Sequence, residues 1–162
     1  MTQRAETGKS ICVNRKARHD YFIEETHEAG LVLTGSEVKS LRAGRANLKD
    51  SHAHIRAGEV FLVGVHISPY APAVHTGHDP TRSRKLLLHK REIARLDGKV
   101  KERGLTLVPL RLYFKGPNAK VELALARGKK RYDKRATLRE KTLRRDVART
   151  MAVRRGRERR TQ

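Results

Sequence analysis

Tryptophan is absent from this 162-residue chain, cysteine occurs once, and Asp and Glu number only 17 against 38 Lys and Arg. Each shortage excludes something. A single cysteine, Cys12, rules out an internal disulfide and a cysteine-based zinc site. Phe and Tyr make up 4% of the residues, which is thin for a protein that stacks successive bases of a single strand. No apolar run reaches the roughly 18 residues of a membrane-spanning helix, and MTQRAETGKS lacks the apolar stretch of a secretion signal. Carboxylates cluster only at Glu24-Glu25, which argues against a metal-dependent nuclease. The expectation is a non-enzymatic, cytoplasmic monomer that needs no cofactor and no membrane.

What is abundant is positive charge. The formal net charge is +21, and a chain so basic repels itself unless an anionic partner neutralises it. Nucleic acid is the first candidate, because each phosphate contact releases counterions. The charge is uneven. Residues 128–162 carry 15 Lys and Arg against 4 Asp and Glu, a net of +11. The first 127 residues carry a net of +10. This shift marks a boundary near Gly128. The predicted organisation is a flexible N-terminus over 1–10, a folded domain over 11–127 and a basic tail over 128–162.

Within the domain, hydrophobic alternation dominates. A short strand is predicted over 11–13 and a longer one over 19–26, interrupted by Glu28-Ala29-Gly30 and resumed at 31–33. Thr34 and Glu37 have capping-box spacing at the start of a two-turn helix that Gly44 ends. DSHAHIRAGEVFLVGVHI reads as a hairpin turning at Ala57-Gly58, with Phe61, Val63, Val65 and Ile67 on one face. Residues 68–83 form a Pro-rich loop. Ile93, Leu96 and Val100 share a helical face closed by Gly104. LTLVPLRLYFKGPNAKVELALA is the clearest hairpin, with an edge or bulge at Pro109. Five short strands with two to three short helices suit an all-β-dominated fold, a small antiparallel barrel of the oligonucleotide-binding type. Its expected core includes Phe22, Ile23, Val63, Val65, Leu110, Leu112 and Leu123.

Four basic clusters recur: Arg15, Lys16 and Arg18 between Asn14 and His19; Lys39, Arg42 and Arg45; Arg82, Arg84 and Lys85; and Lys129, Lys130 and Arg131. One such cluster is usually a solvated turn, but recurrence points to phosphate contacts, with Asn14 and His19 within reach of a base or ribose. His52, His54 and His75-x-x-His78-Asp79 supply imidazoles without the three or four converging ligands that a metal requires. Gly8-Lys9-Ser10 is no phosphate loop, because position 3 is Gln where that motif has Gly. Beyond Gly128, a helix from about Arg135 would align Leu143, Val147 and Met151 in a stripe one residue wide. So narrow a stripe cannot fold unaided. The tail is therefore expected to be disordered when free and helical on an anionic surface.

NRKARHDYFIEE, GLVLTGSEVKSLRAGRANLKDS, DPTRSRKLLLHKREI and GKKRYDKR resemble the SsrA-binding protein family, also called small protein B. The resemblance runs over roughly residues 11–145, in order and almost without gaps. It implies an oligonucleotide-binding barrel on the transfer-RNA-like domain of transfer-messenger RNA, the RNA of bacterial trans-translation. It also implies a tail that occupies the decoding centre and empty messenger channel of a stalled ribosome, and an elongation factor as a further candidate partner in delivery. The family's RNA-binding positions fall on Asn14, Glu28 and Leu87, with Asn14 and Glu28 expected to serve recognition and not stability. Its tail motif falls on Asp133, Lys134 and Arg135, and Arg139, Arg144 and Arg145 lie in the same tail. A general single-stranded nucleic-acid binder on the same barrel is the alternative.

Overall fold

A computed structural model describes residues 10–70, 78–129, 140 and 142, and contacts divide the chain between Gly128 and Lys129. The first unit runs β1 (Ser10–Val13), α1 (Arg15–Asp20), β2 (Tyr21–Leu31), α2 (Gly35–Arg42), β3 (Ala46–Asn47), β4 (His52–Arg56), β5 (Glu59–Val63), β6 (His66–Ile67), β7 (Arg84–Leu87), α3 (Lys90–Arg103), β8 (Thr106–Lys115) and β9 (Asn118–Gly128). Seven strands form an antiparallel sheet in the order β1-β8-β4-β5-β7-β2-β9, and β9 also pairs with β8. The pairing therefore returns to β8 and closes a ring. Closure leaves few unpaired edges, the hazard of an open sheet.

Inside the ring sit Val60, Leu62, Val65, Leu86, Leu112, Val121, Leu123 and Leu125, all at most 1% exposed. Ile93 and Leu96 of α3 join this core and Val100 packs against it, as their shared face predicts. A second, smaller cluster lies on the outer side of β8 and β9, where Ala17 of α1 meets Val108, Leu110 and Ala124. Strands β8 and β9 are thus apolar on both faces. Their strict alternation breaks where the register slips between Pro109 and Arg111. The bulge expected at Pro109 is there, since proline has no N–H to give the ladder.

Several expectations need correction. Arg15–Asp20 is a helix, not a turn leading into a strand, because Asn14 caps it. Strand β2 runs unbroken through Glu28-Ala29-Gly30, and its irregularity lies between Ile23 and Glu25. Phe22 is 40% exposed, Ile23 belongs to the outer cluster, and Val63 is only half-buried. Gly64 explains the last point. Its φ of +76° turns the chain between β5 and β6, so Phe61 and Val63 face outward while Val65 and Ile67 face inward. Residues 84–87 form a strand, where a loop running into a helix was expected. Helix α2 and its Thr34/Glu37 punctuation agree with the sequence, and Gly104 ends α3 with φ +59°.

Candidate nucleic-acid interface

Glu28 and Leu87 are 59 positions apart, and the closed sheet brings them together. Gly30 of β2 pairs with Leu87 of β7, and Glu28 projects from the same side of β2 as Gly30. Glu28 and Leu87 line a depression of about 420 Å³ together with Leu88, His89, Glu92 and Lys120. Leu87 is 53% exposed, an unusual fate for a leucine beside a strand core. A Cβ on Gly30 would lie 3.3 Å from the Leu87 Cβ, so glycine there lets the leucine settle over β2.

The Glu28 carboxylate is supplied with donors. Tyr113 Oη donates to Oε2 at 2.5 Å, and Lys115 Nζ donates to Oε1 at 3.2 Å. Lys120 Nζ stands 3.8 Å from Oε1. The Tyr113 hydrogen bond, helped by Lys115 and Lys120, holds the carboxyl below its usual range. Glu28 is therefore an oriented anion at neutral pH. A carboxylate only accepts, so it suits amino and imino edges of bases, with Leu87 offering an apolar contact alongside. Lys115 and Lys120 were missed by sequence reasoning, and so was the bond from Tyr113 to Glu28. They reach Glu28 only through the β2–β9 and β8–β9 registers, which no local pattern reveals.

Asn14 plays a different part from the one expected. It is 6% exposed. Its Oδ1 accepts from the Ala17 amide at 3.0 Å, and its Nδ2 donates to the Leu48 and Pro109 carbonyls at 3.1 Å each. The side chain caps α1 and ties that helix to two distant segments, so it serves stability. It thereby sets out the exposed Arg15, Lys16, Arg18 and His19 on α1. Lys16 pairs with Asp50 at 2.7 Å and His19 with Asp20 at 2.9 Å. This cluster is not beside Glu28. Eight residue steps along extended β2 separate Asp20 from Glu28, roughly 26 Å at 3.3 Å per residue.

The 82–85 cluster is corrected most. Arg84 is 0% exposed. Its Nε donates to Glu37 Oε1 at 2.9 Å, and its Nη atoms donate to the carbonyls of Val65, Arg82 and Pro80. Arg82 forks onto the same carboxylate, with Nε at 2.8 Å from Oε1 and Nη2 at 2.6 Å from Oε2. Arg84 is an internal strut, with no exposed surface to offer a phosphate. Arg82 is largely committed to the same strut. Lys85 reaches outward but pairs with Glu59. On α2, Lys39 lies over the Tyr70 ring at 5.6 Å, and Arg42 is exposed in the last turn.

His78 also proves structural, with Nε2 donating to the Ile67 carbonyl and Nδ1 bonded to Ser36 Oγ, both at 3.0 Å. Among the described residues no three His, Cys, Asp or Glu side chains converge as metal ligands, and no helix is long and apolar enough to cross a membrane. Lys129 is exposed in part. His75, Lys130, Asp133, Lys134, Arg135, Arg139, Arg144 and Arg145 lie outside the described residues.

The family described as SmpB protein matches residues 11–153. The chain belongs to the SmpB family. Its SmpB relatives include the SsrA-binding protein of Acidothermus cellulolyticus, 63% identical over 146 residues, or 90% of this chain and 92% of the relative. The SsrA-binding protein of Desulforudis audaxviator is 60% identical over 144 residues, or 89% of this chain and 94% of the relative. A chain of the solved structure "tmRNA-SmpB: a journey to the center of the bacterial ribosome" superposes with a TM-score of 0.64 at 51% identity. That match covers 79% of this chain and 94% of the other.

Proposed function

We propose that this protein binds the transfer-RNA-like domain of transfer-messenger RNA and delivers it to stalled ribosomes, as a non-enzymatic cytoplasmic factor acting as a monomer. The convergence of Glu28 and Leu87 in one depression carries this reading, and kinship with SsrA-binding proteins supports it. The closed antiparallel ring acts as an oligonucleotide-binding barrel over 11–127. Residues 128–162, at a net +11, act separately. They order on ribosomal RNA in the decoding centre and empty messenger channel, where Asp133, Lys134 and Arg135 make the contacts. Ordering on binding costs entropy, so the tail gains its affinity from tethering through the barrel.

Two variants test the division of labour. Leu87→Ala removes a half-exposed side chain, so it should melt within a few degrees of the parent yet bind the transfer-RNA-like domain roughly tenfold or more weakly. The triple change of Asp133, Lys134 and Arg135 to Ala should bind that RNA like the parent and fail to support peptide tagging on stalled ribosomes. Loss of both properties in the triple variant would refute the separation of roles.

A further inference from the structure

The outer surface of the barrel continues from Leu87 toward β4. Phe61 pairs with Lys85 across β5 and β7, and His54 pairs with Phe61 across β4 and β5. Partners directly opposite one another share a face, so His54, Phe61, Lys85 and Leu87 lie on one exterior band. His54 and Phe61 stack, with ring centroids 5.8 Å apart and planes 26° from parallel. They border a depression of about 300 Å³ with Arg56, Ala57, Glu59 and Ser83, at the lower end of ligand-pocket sizes.

A phenylalanine ring turned outward has a cost, since the core it leaves is apolar and water gains nothing from it. Here the alternation of β5, which turns Val60 and Leu62 inward, puts it outside, and a second ring stands against it. The stack is flanked by what a nucleotide requires. Arg56, exposed at the end of β4, supplies a cation for a phosphate. The Ser83 hydroxyl donates and accepts, and Glu59 accepts. From β4 to β2 there are three strand spacings of about 4.8 Å, or roughly 14 Å, so an RNA seated on Glu28 and Leu87 has this stack within a few nucleotides.

We infer that His54 and Phe61 form a stacking platform for one unpaired base of the same RNA that covers Glu28 and Leu87, with Arg56 holding its phosphate. The inference rests on the RNA-binding reading above and adds a second contact point to it. A base would extend the existing stack, and the positive field of the chain would bring the strand to it. Glu59 is paired through Oε1 with Lys85, so any acceptor it offers a base edge is Oε2, which would favour a base carrying an amino group.

The full-length protein and the isolated transfer-RNA-like domain of transfer-messenger RNA make the test, by filter binding at fixed salt. The double variant His54→Ala, Phe61→Leu keeps apolar volume at the half-buried position and removes both rings. Circular dichroism should show the parent's melting transition, while affinity should fall roughly 5- to 150-fold, the range for losing one stacked base. Should the double variant misfold, His54→Ala alone changes an exposed residue and should still weaken binding several-fold. A folded variant with parental affinity overturns this inference alone. A variant that binds the RNA normally and is impaired only on ribosomes overturns it too, since the base would then be ribosomal. If the parent fails to bind the RNA, the functional reading falls and this inference falls with it.

Discussion

At the scale of single residues, charge here divides into two kinds that look alike in the sequence. Arg84 and Glu37 are wholly buried and hydrogen-bonded, whereas Arg15 and Arg56 are exposed. The buried kind makes stability depend on acid. Burial alone would push the Glu37 carboxyl up, but the Arg82 fork, the Thr34 amide and the Arg84 guanidinium outweigh it and bring the carboxyl down to about 2. Unfolded, a glutamate titrates at roughly 4.3. The folded value is the lower one, so the contribution is whole above pH ~4.3 and disappears as pH falls toward about 2, a difference of roughly 3 kcal/mol. Glu37→Gln should therefore melt well below the parent at neutral pH, with the gap closing between about pH 4 and about pH 2. Thermal unfolding of both proteins across that range checks it. A gap independent of pH would mean that the carboxylate's charge is not what matters.

At the scale of elements, two glycines separate local propensity from tertiary constraint. Gly98 sits inside α3 with nothing within 4 Å of where a Cβ would stand. Glycine there only costs backbone entropy, so Gly98→Ala should stabilise by about 0.5–1 kcal/mol. Gly64 has φ +76°, and an added Cβ would meet the Asp50 carbonyl oxygen at 3.2 Å. Gly64→Ala should destabilise by roughly 1–2 kcal/mol for the left-handed backbone alone, and by more for the crowding. Urea midpoints of the two variants should move in opposite directions from the parent. Helix α3 was legible in the sequence because Ile93, Leu96 and Val100 report its period directly. Strand β7 was not. Arg84 breaks the apolar pattern, and only its buried partner Glu37 explains a charged residue on the inner face.

At the scale of the whole molecule, a net charge of +21 is far in excess of what folding requires. It should appear as a steep salt dependence of RNA binding. If about 6–10 phosphates are neutralised, affinity should fall roughly 10³- to 10⁵-fold between about 50 and 200 mM salt. Titrations of the full chain at several salt concentrations measure the slope, and a flat line would exclude an electrostatic mode. Folding should depend little on the basic end of the chain, since no described core residue lies beyond Ala126. A protein ending at Gly128 should accordingly keep the parent's cooperative melting transition.

Period, punctuation and charge are local properties, and the sequence by itself determined what depends on them. It specified the Thr34/Glu37 start of α2, the face and glycine end of α3, the β8–β9 hairpin with its break at Pro109, and the change in charge near Gly128. Four blocks of residues also sufficed to indicate the family. Which cations face solvent was decided only by the tertiary structure. The basic cluster at 82–85 reads as surface, yet the closed sheet turns Arg84 inward against Glu37, 47 residues away. Asn14 reads as a donor for RNA, yet the carbonyls of Leu48 and Pro109 consume it. The meeting of Glu28 with Leu87, and of Phe61 with Lys85, rests on strand register between distant segments. Such register is a long-range property, set by which faces the closed sheet must bury, and no short window of sequence contains it.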